Sequence, residues 1–144
     1  MVDSIKLLDV AEQNAEEIAE HWAMEVQKNK RTTHYQNIKK EKLKIYAVDF
    51  YNNLRNLLVP DDRLENTKKY FQKYAKKCNE LGLPLQEAIY GLILMRRHMW
   101  LYADFQAIFI DALEHNQAID GIMRVMLMMD YAVYEITQYY FDKK

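Results

Sequence analysis

Apolar residues recur along most of this chain every three or four positions, the period of a helix with one buried face. Ile5, Leu8, Ala15, Ile18, Trp22 and Val26 form the first stripe and predict a helix from Ser4 to Asn29. After a polar KNKRTTH link, Ile38, Leu43, Tyr46, Ala47, Phe50, Leu54 and Leu57 predict a second from Tyr35 to Leu58, closed by Val59-Pro60. A third opens at Asp61 or Asp62 and carries Leu64, Tyr70, Phe71, Tyr74, Cys78 and Leu81. Asp62 followed by Glu65 resembles a capping box with Asp in the Ser/Thr place. A fourth helix is expected from Pro84 to His115, bending near Asp104, and a fifth from Gln117 to Phe141. Strand signals are missing: no alternating β-branched run occurs, and no Asn-Gly or Asp-Gly turn. The expected fold is therefore all-α, one domain spanning 1–144. It is a bundle of about five helices with a long C-terminal helix, and globin-like packing is one way to arrange it.

Punctuation is sparse, with only three glycines and two prolines. LGLPLQE concentrates it. Gly82 follows the last apolar residue of the third helix, where glycine takes a left-handed conformation cheaply. Leu83 can fold back as the hydrophobic contact, and Pro84 starts the next helix with its φ preset. Gly91 falls inside the fourth helix, at a cost of about 1 kcal/mol against Ala, so a close approach by another helix is expected there.

In the fifth helix Ile119, Ile122, Met126, Met129, Val133, Ile136 and Tyr140 are spaced 3, 4, 3, 4, 3, 4. That is an a/d seam held for three heptads. The adjoining row, Gly121, Val125, Met128 and Ala132, is also small or apolar. A helix apolar on two sides is either central in a core or packs its own bundle on one side and a second subunit on the other. The adjoining row is the expected homodimer face.

Composition narrows the class. Half of the 144 residues are hydrophobic and 28% are charged, which fits neither disorder nor a membrane span. A net charge of -1 argues against a dedicated nucleic-acid binder. The N-terminus lacks the long apolar core of a signal peptide. A lone cysteine, Cys78, suits a reducing, cytoplasmic setting. Charge is uneven: Asp9, Glu12, Glu16, Glu17, Glu20 and Glu25 are followed by Lys39, Lys40, Lys42 and Lys44. These are solvated helix faces or a protein-docking surface.

The stretch AKKCNELGLPLQEAIYGLILMRRHMWLY, Ala75 to Tyr102, resembles the RsbRD-type N-terminal domain of bacterial stressosome RsbT co-antagonists. Related versions precede histidine kinases and PucR-like regulators. IAEHWAMEVQKN and MDYAVYEITQYYF are similar to that family's first and last helices. The resemblance implies an all-helical, often dimeric input domain of a bacterial signalling protein, acting in stress responses. It brings no catalytic or ligand residues with it. Its output partner would be a kinase, phosphoacceptor or DNA-binding module, and none follows within these 144 residues.

Enzymatic chemistry finds little support. The one serine is Ser4, and phosphate-binding glycine loops are missing. His21, His34, His98 and His115 show no metal-ligand spacing, so no metal or cofactor is expected. The alternatives are a haem sensor with His98 as axial ligand beside Tyr102, or a ligand-free scaffold. Six of the eight methionines lie on the last two helices, which suggests a core or a pocket for a small apolar molecule. Arg97, beside Arg96, interrupts an apolar run of the fourth helix, and Asp130 is isolated in one of the fifth. They are the expected buried pair at the base of such a pocket, where an acidic ligand could compete for the arginine. Arg97, His98, Tyr102 and Asp130 are thus the candidate ligand residues.

Overall fold

Six α-helices and one 3-10 turn make up the described residues, 5–105 and 112–143, of this computed structural model. They are α1 (Ile5–Gln13), α2 (Ala15–Lys28), the 3-10 turn (Thr33–Asn37), α3 (Lys40–Leu58), α4 (Arg63–Glu80), α5 (Leu85–Phe105) and α6 (Ala112–Asp142). The fold is an all-α bundle with a long C-terminal helix. α2 packs chiefly on α3, and α4 chiefly on α6.

The first predicted helix is two helices. Asn14 separates them because its side-chain amide donates to the Val10 carbonyl at 2.9 Å, alongside its own backbone N–H at 3.1 Å. Such local side-chain bonding competes with helix geometry. The second predicted helix starts late, at Lys40. Tyr35, expected in its first turn, is drawn into the core by the 3-10 turn and is 2% exposed. Buried Thr32 ties the link down by donating to the Val26 carbonyl at 2.7 Å. Asp62 sits at the N-cap of α4 but makes no side-chain capping bond, so the predicted capping box does not form. His115, expected to end the fourth helix, lies in α6. The bend predicted near Asp104 borders 106–111, outside the described residues.

The LGLPLQE corner forms as its chemistry predicts. Gly82 has φ +80°, the Leu83 N–H bonds the Cys78 carbonyl, and the Gly82 N–H bonds the Asn79 carbonyl, each at 3.0 Å. This is a Schellman motif. Leu83 is buried as its hydrophobic contact.

Gly91 is explained by two aromatic side chains. The Trp22 indole N–H donates to its carbonyl at 2.8 Å. Tyr35 presses against its Cα, and the two rings meet edge to face with centroids 5.9 Å apart. A methyl group on residue 91 would overlap Tyr35 Oη and stand 2.9 Å from Cζ. The close approach is therefore made by a tyrosine of the 3-10 turn and not by another helix.

Charges of α1 and α2 are partly neutralised within the chain. Arg55 of α3 bonds Asp9 at 2.6 Å and Glu12 at 2.9 Å, while Glu20 receives Lys40 at 2.6 Å and Lys44 at 3.0 Å. The hydrogen bonds from Lys40 and Lys44 hold the Glu20 carboxyl below its ordinary range.

Gly91→Ala should lower stability by about 1–3 kcal/mol through overpacking, although alanine favours helix. Adding Tyr35→Phe, which removes the overlapping hydroxyl, should restore part of the loss. Thermal melts of the two variants check both expectations.

Candidate functional site

α5 runs through the bundle with its buried face at Ala88, Leu92, Met95, Met99 and Ala103, all at most 1% exposed. Its polar features follow from that register. Successive residues advance about 100° around a helix, so Arg97, two past Met95, points away from the core and is exposed. Asp130, two past buried Met128, is likewise exposed on α6. No ion pair joins Arg97 and Asp130 among the described residues, and the expected buried pair does not form. Arg97 instead borders a shallow groove with Arg96, Trp100, Leu101 and Ile122.

His98 and Tyr102, one turn apart, face α2. His98 Nε2 lies 2.5 Å from Glu25, and the Tyr102 hydroxyl is 2.9 Å from the Asn14 side chain and 3.0 Å from Glu17. They form a polar seam between α2 and α5. An axial role for His98 would require breaking its bond to Glu25. Among the described residues no three His, Cys, Asp or Glu side chains gather as a metal site would need. The four candidate ligand residues therefore do not converge.

The expected dimer row is also turned inward. Gly121, Val125, Met128 and Ala132 are buried in the chain's own core. Exposed apolar side chains occupy the opposite face of α6: Ile119, Met123, Met126, Leu127 and Tyr134, from 40% to 64% exposed. The helix is apolar on two sides, as its sequence suggests, but the a/d seam is split: Met129 and Ile136 are buried beside the expected dimer row, Ile122, Val133 and Tyr140 are half-buried, and Ile119 and Met126 are exposed. No helix among the described residues is long and apolar enough to cross a membrane.

The concave site lies elsewhere, between α3 and α4. It is a chamber of about 310 Å³. Trp22, Tyr35, Cys78, Leu83 and Met95 form its buried floor, and Leu43, Tyr70, Tyr74 and Leu81 its walls. Tyr46, Asp49, Asn53, Lys73 and Lys77 rim its mouth. Periodicity places these residues: Tyr46, Asp49 and Asn53 share a face of α3, and Lys73, Tyr74, Lys77 and Cys78 share one of α4.

The aromatic groups around the chamber are anchored by their polar tips. Tyr35 Oη donates to the Glu87 carbonyl and Tyr74 Oη to the Ala88 carbonyl, both at 3.3 Å. Behind them, Tyr51 donates to the Met95 carbonyl at 2.6 Å. The Glu87 carboxylate accepts from the His34 backbone N–H at 2.9 Å and contacts the His34 ring, fixing the 3-10 turn against the start of α5. At the rim, Tyr70 donates to Asp49 at 2.9 Å, and the Lys77 ammonium sits 5.3 Å from the Tyr46 ring centroid. No described buried side-chain N or O lacks a hydrogen-bond partner.

Comparison with protein-family models, with curated proteins and with solved structures gives no match for this chain. The site has to be read from its own chemistry. Burial pushes the Cys78 thiol up to about 12, partly offset by a hydrogen bond from Tyr74. A thiol that stays protonated is a poor nucleophile. Burial likewise raises the phenols of Tyr35, Tyr51 and Tyr74 well above their usual value. The chamber is thus lined by neutral, satisfied groups, with charge only at its mouth. Sequence reasoning looked to α5 and α6 because their methionines and isolated charges stand out. The available signal was the alternation of tyrosine with lysine along α4, KKYFQKYAKK.

Because folding raises the Cys78 pKa from 9.0 to about 12, its protonated form is favoured in the native state. That contribution to stability is full below about pH 9 and is lost as pH rises toward 12. The buried tyrosines act in the same direction. The thermal midpoint should therefore hold from pH 7 to 8.5 and fall steeply above 9. Native Cys78 should react with iodoacetamide at pH 8 far more slowly than in the urea-unfolded chain.

Proposed function

We propose that this chain is a non-catalytic signal-input domain. It holds a small molecule in the α3–α4 chamber, associates as a homodimer, and transmits through α6 to an output partner. The observation that carries the reading is the double engagement of Leu83. Its side chain forms part of the chamber floor, while its carbonyl accepts the Tyr140 hydroxyl of α6 at 2.6 Å. Occupancy of the chamber and the position of the C-terminal helix thus meet at one residue. The buried hydroxyls around the chamber, Tyr35 and Tyr74, are committed to backbone carbonyls of α5, which suits binding better than turnover. The exposed apolar row of α6 gives the helix a surface for a second copy, since a contiguous apolar stripe on a helix marks an interaction face. The reading accords with what the resemblance to RsbRD-type input domains implies, including a bacterial, cytoplasmic signalling role.

Hydrogen exchange with and without millimolar indole, a neutral aromatic probe, tests the sensing role. Indole should slow exchange in α4 and in the last turns of α6, and Tyr140→Phe should uncouple the second effect from the first. Unchanged exchange throughout the chain would remove the chamber as a sensing site.

Sedimentation equilibrium at tens of micromolar tests the association. A dimer is expected, and Met123→Glu or Leu127→Glu on the exposed row should shift it toward monomer with the fold intact. Val125→Glu, at a fully buried position, should instead lower stability by several kcal/mol, roughly the cost of a buried unpaired charge.

A further inference from the structure

The chamber's two ends differ in chemistry. Its closed end is formed by Trp22, Tyr35 and Met95, each at most 2% exposed, with half-buried Tyr74 on the wall, and every described buried side-chain N and O is already partnered. Nothing there rewards a polar ligand group, and a flat aromatic body suits rings that favour edge and face contacts. A volume of about 310 Å³ lies at the low end of small-molecule sites, roughly 300–1,000 Å³, so one or two rings fit and a long lipid does not.

The mouth carries one acid and two bases. Asp49 is occupied at both oxygens, Oδ2 by Tyr70 at 2.9 Å and Oδ1 by Asn53 at 3.3 Å. Lys73 and Lys77 stand one turn apart on α4, on the same rim. Lys77 rests over Tyr46, and Lys73 makes no ion pair among the described residues. The rim therefore carries a net positive charge, with Asp49 hydrogen-bonded to neutral donors and neither lysine held in an ion pair among the described residues.

We propose that the chamber binds a small aromatic monoanion, its ring system in the depth and its carboxylate at the mouth between Lys73 and Lys77. This rests on the reading of the chamber as a ligand site and adds the ligand's class.

Isothermal titration with indole-3-acetate and its neutral amide, indole-3-acetamide, tests it. At low salt the acid should bind about fivefold more tightly, the scale of a partly exposed ion pair. That preference should shrink toward one in Lys73→Gln/Lys77→Gln, and in the wild type on raising salt to about 0.5 M. Asn53→Trp, which plugs the mouth from a half-buried rim position, should abolish binding of both probes while the melting curve stays cooperative. If the amide binds as tightly as the acid, or the lysine variant keeps the full preference, the monoanion assignment is wrong and the chamber survives as a site for neutral ligands. If neither probe binds at millimolar concentration, or the plugged variant binds both unchanged, the assignment and the chamber reading fall together.

Discussion

The fold depends on aromatic donors satisfied by the backbone of one helix. Carbonyls of α5 at Glu87, Ala88, Gly91 and Met95 accept from Tyr35, Tyr74, Trp22 and Tyr51. These donors come from the 3-10 turn, α4, α2 and α3. A fifth, Tyr140 of α6, reaches the Leu83 carbonyl just before α5 begins. A helix carbonyl already serves its own ladder, yet its second lone pair can take another donor. A buried Tyr or Trp must find an acceptor for its polar tip, since an unmet donor costs about 1–3 kcal/mol. Residues 87, 91 and 95 recur at one-turn intervals, so α5 offers a line of acceptors along one face. Each surrounding element inserts an aromatic side chain long enough to reach it. This uses several of the eleven tyrosines and fixes Gly91 as the point where Tyr35 and Trp22 crowd in.

The same arrangement creates the chamber. Tyr35 and Tyr74 fix their hydroxyls on α5 carbonyls, and both line the space left between α3 and α4. The lysines and Asp49 gather at its opening because α3 and α4 turn their polar sides to water on either side of it. An aromatic interior with a charged rim follows from how the tyrosines are satisfied, before any ligand is considered.

Much of the architecture was legible in the sequence because it is governed by local rules. Gly82, Leu83 and Pro84 dictate their corner through backbone conformation alone, and the stripes of α2 and α3 name much of the core. The departures come from side chains whose partners are distant. Asn14 breaks a helix by bonding Val10 and is itself bonded by Tyr102, 88 positions away. Tyr35 leaves α3 for Gly91. On α6, both rows are apolar, and periodicity cannot say how far around the helix the bundle reaches. It buries Gly121, Val125 and Ala132, whose small side chains let α6 approach, together with Met129 and Ile136 of the a/d seam, and leaves Met123, Leu127 and Tyr134 outside. Arg97 and Asp130 drew attention by interrupting apolar runs, but register decides their direction, and both fall opposite buried residues. The chamber was hidden for a related reason: its lining comes from four helices, the 3-10 turn and the LGLPLQE corner, and no single stripe contains it.

Leu83 sets the scale of any communication between chamber and C-terminal helix. It belongs to a turn with little freedom, since Gly82 is held at positive φ and two backbone bonds close the Schellman motif. A ligand that displaces the Leu83 backbone moves its carbonyl as well, and the Tyr140 hydroxyl bonds that carbonyl. A ligand shifts a conformational equilibrium only by its difference in affinity for the two states. The bond at stake contributes about 1 kcal/mol net, and breaking it without replacement costs somewhat more. Coupling through this contact alone is therefore on the order of fivefold, the lower end of allosteric effects. A larger response would need the packing of α4 against α6 to change as well. The chamber's α4 wall, from Tyr70 to Cys78, belongs to the same helix that packs on α6. Closing the chamber on a ligand would thus load both routes at once, the turn through Leu83 and the helix face through α4.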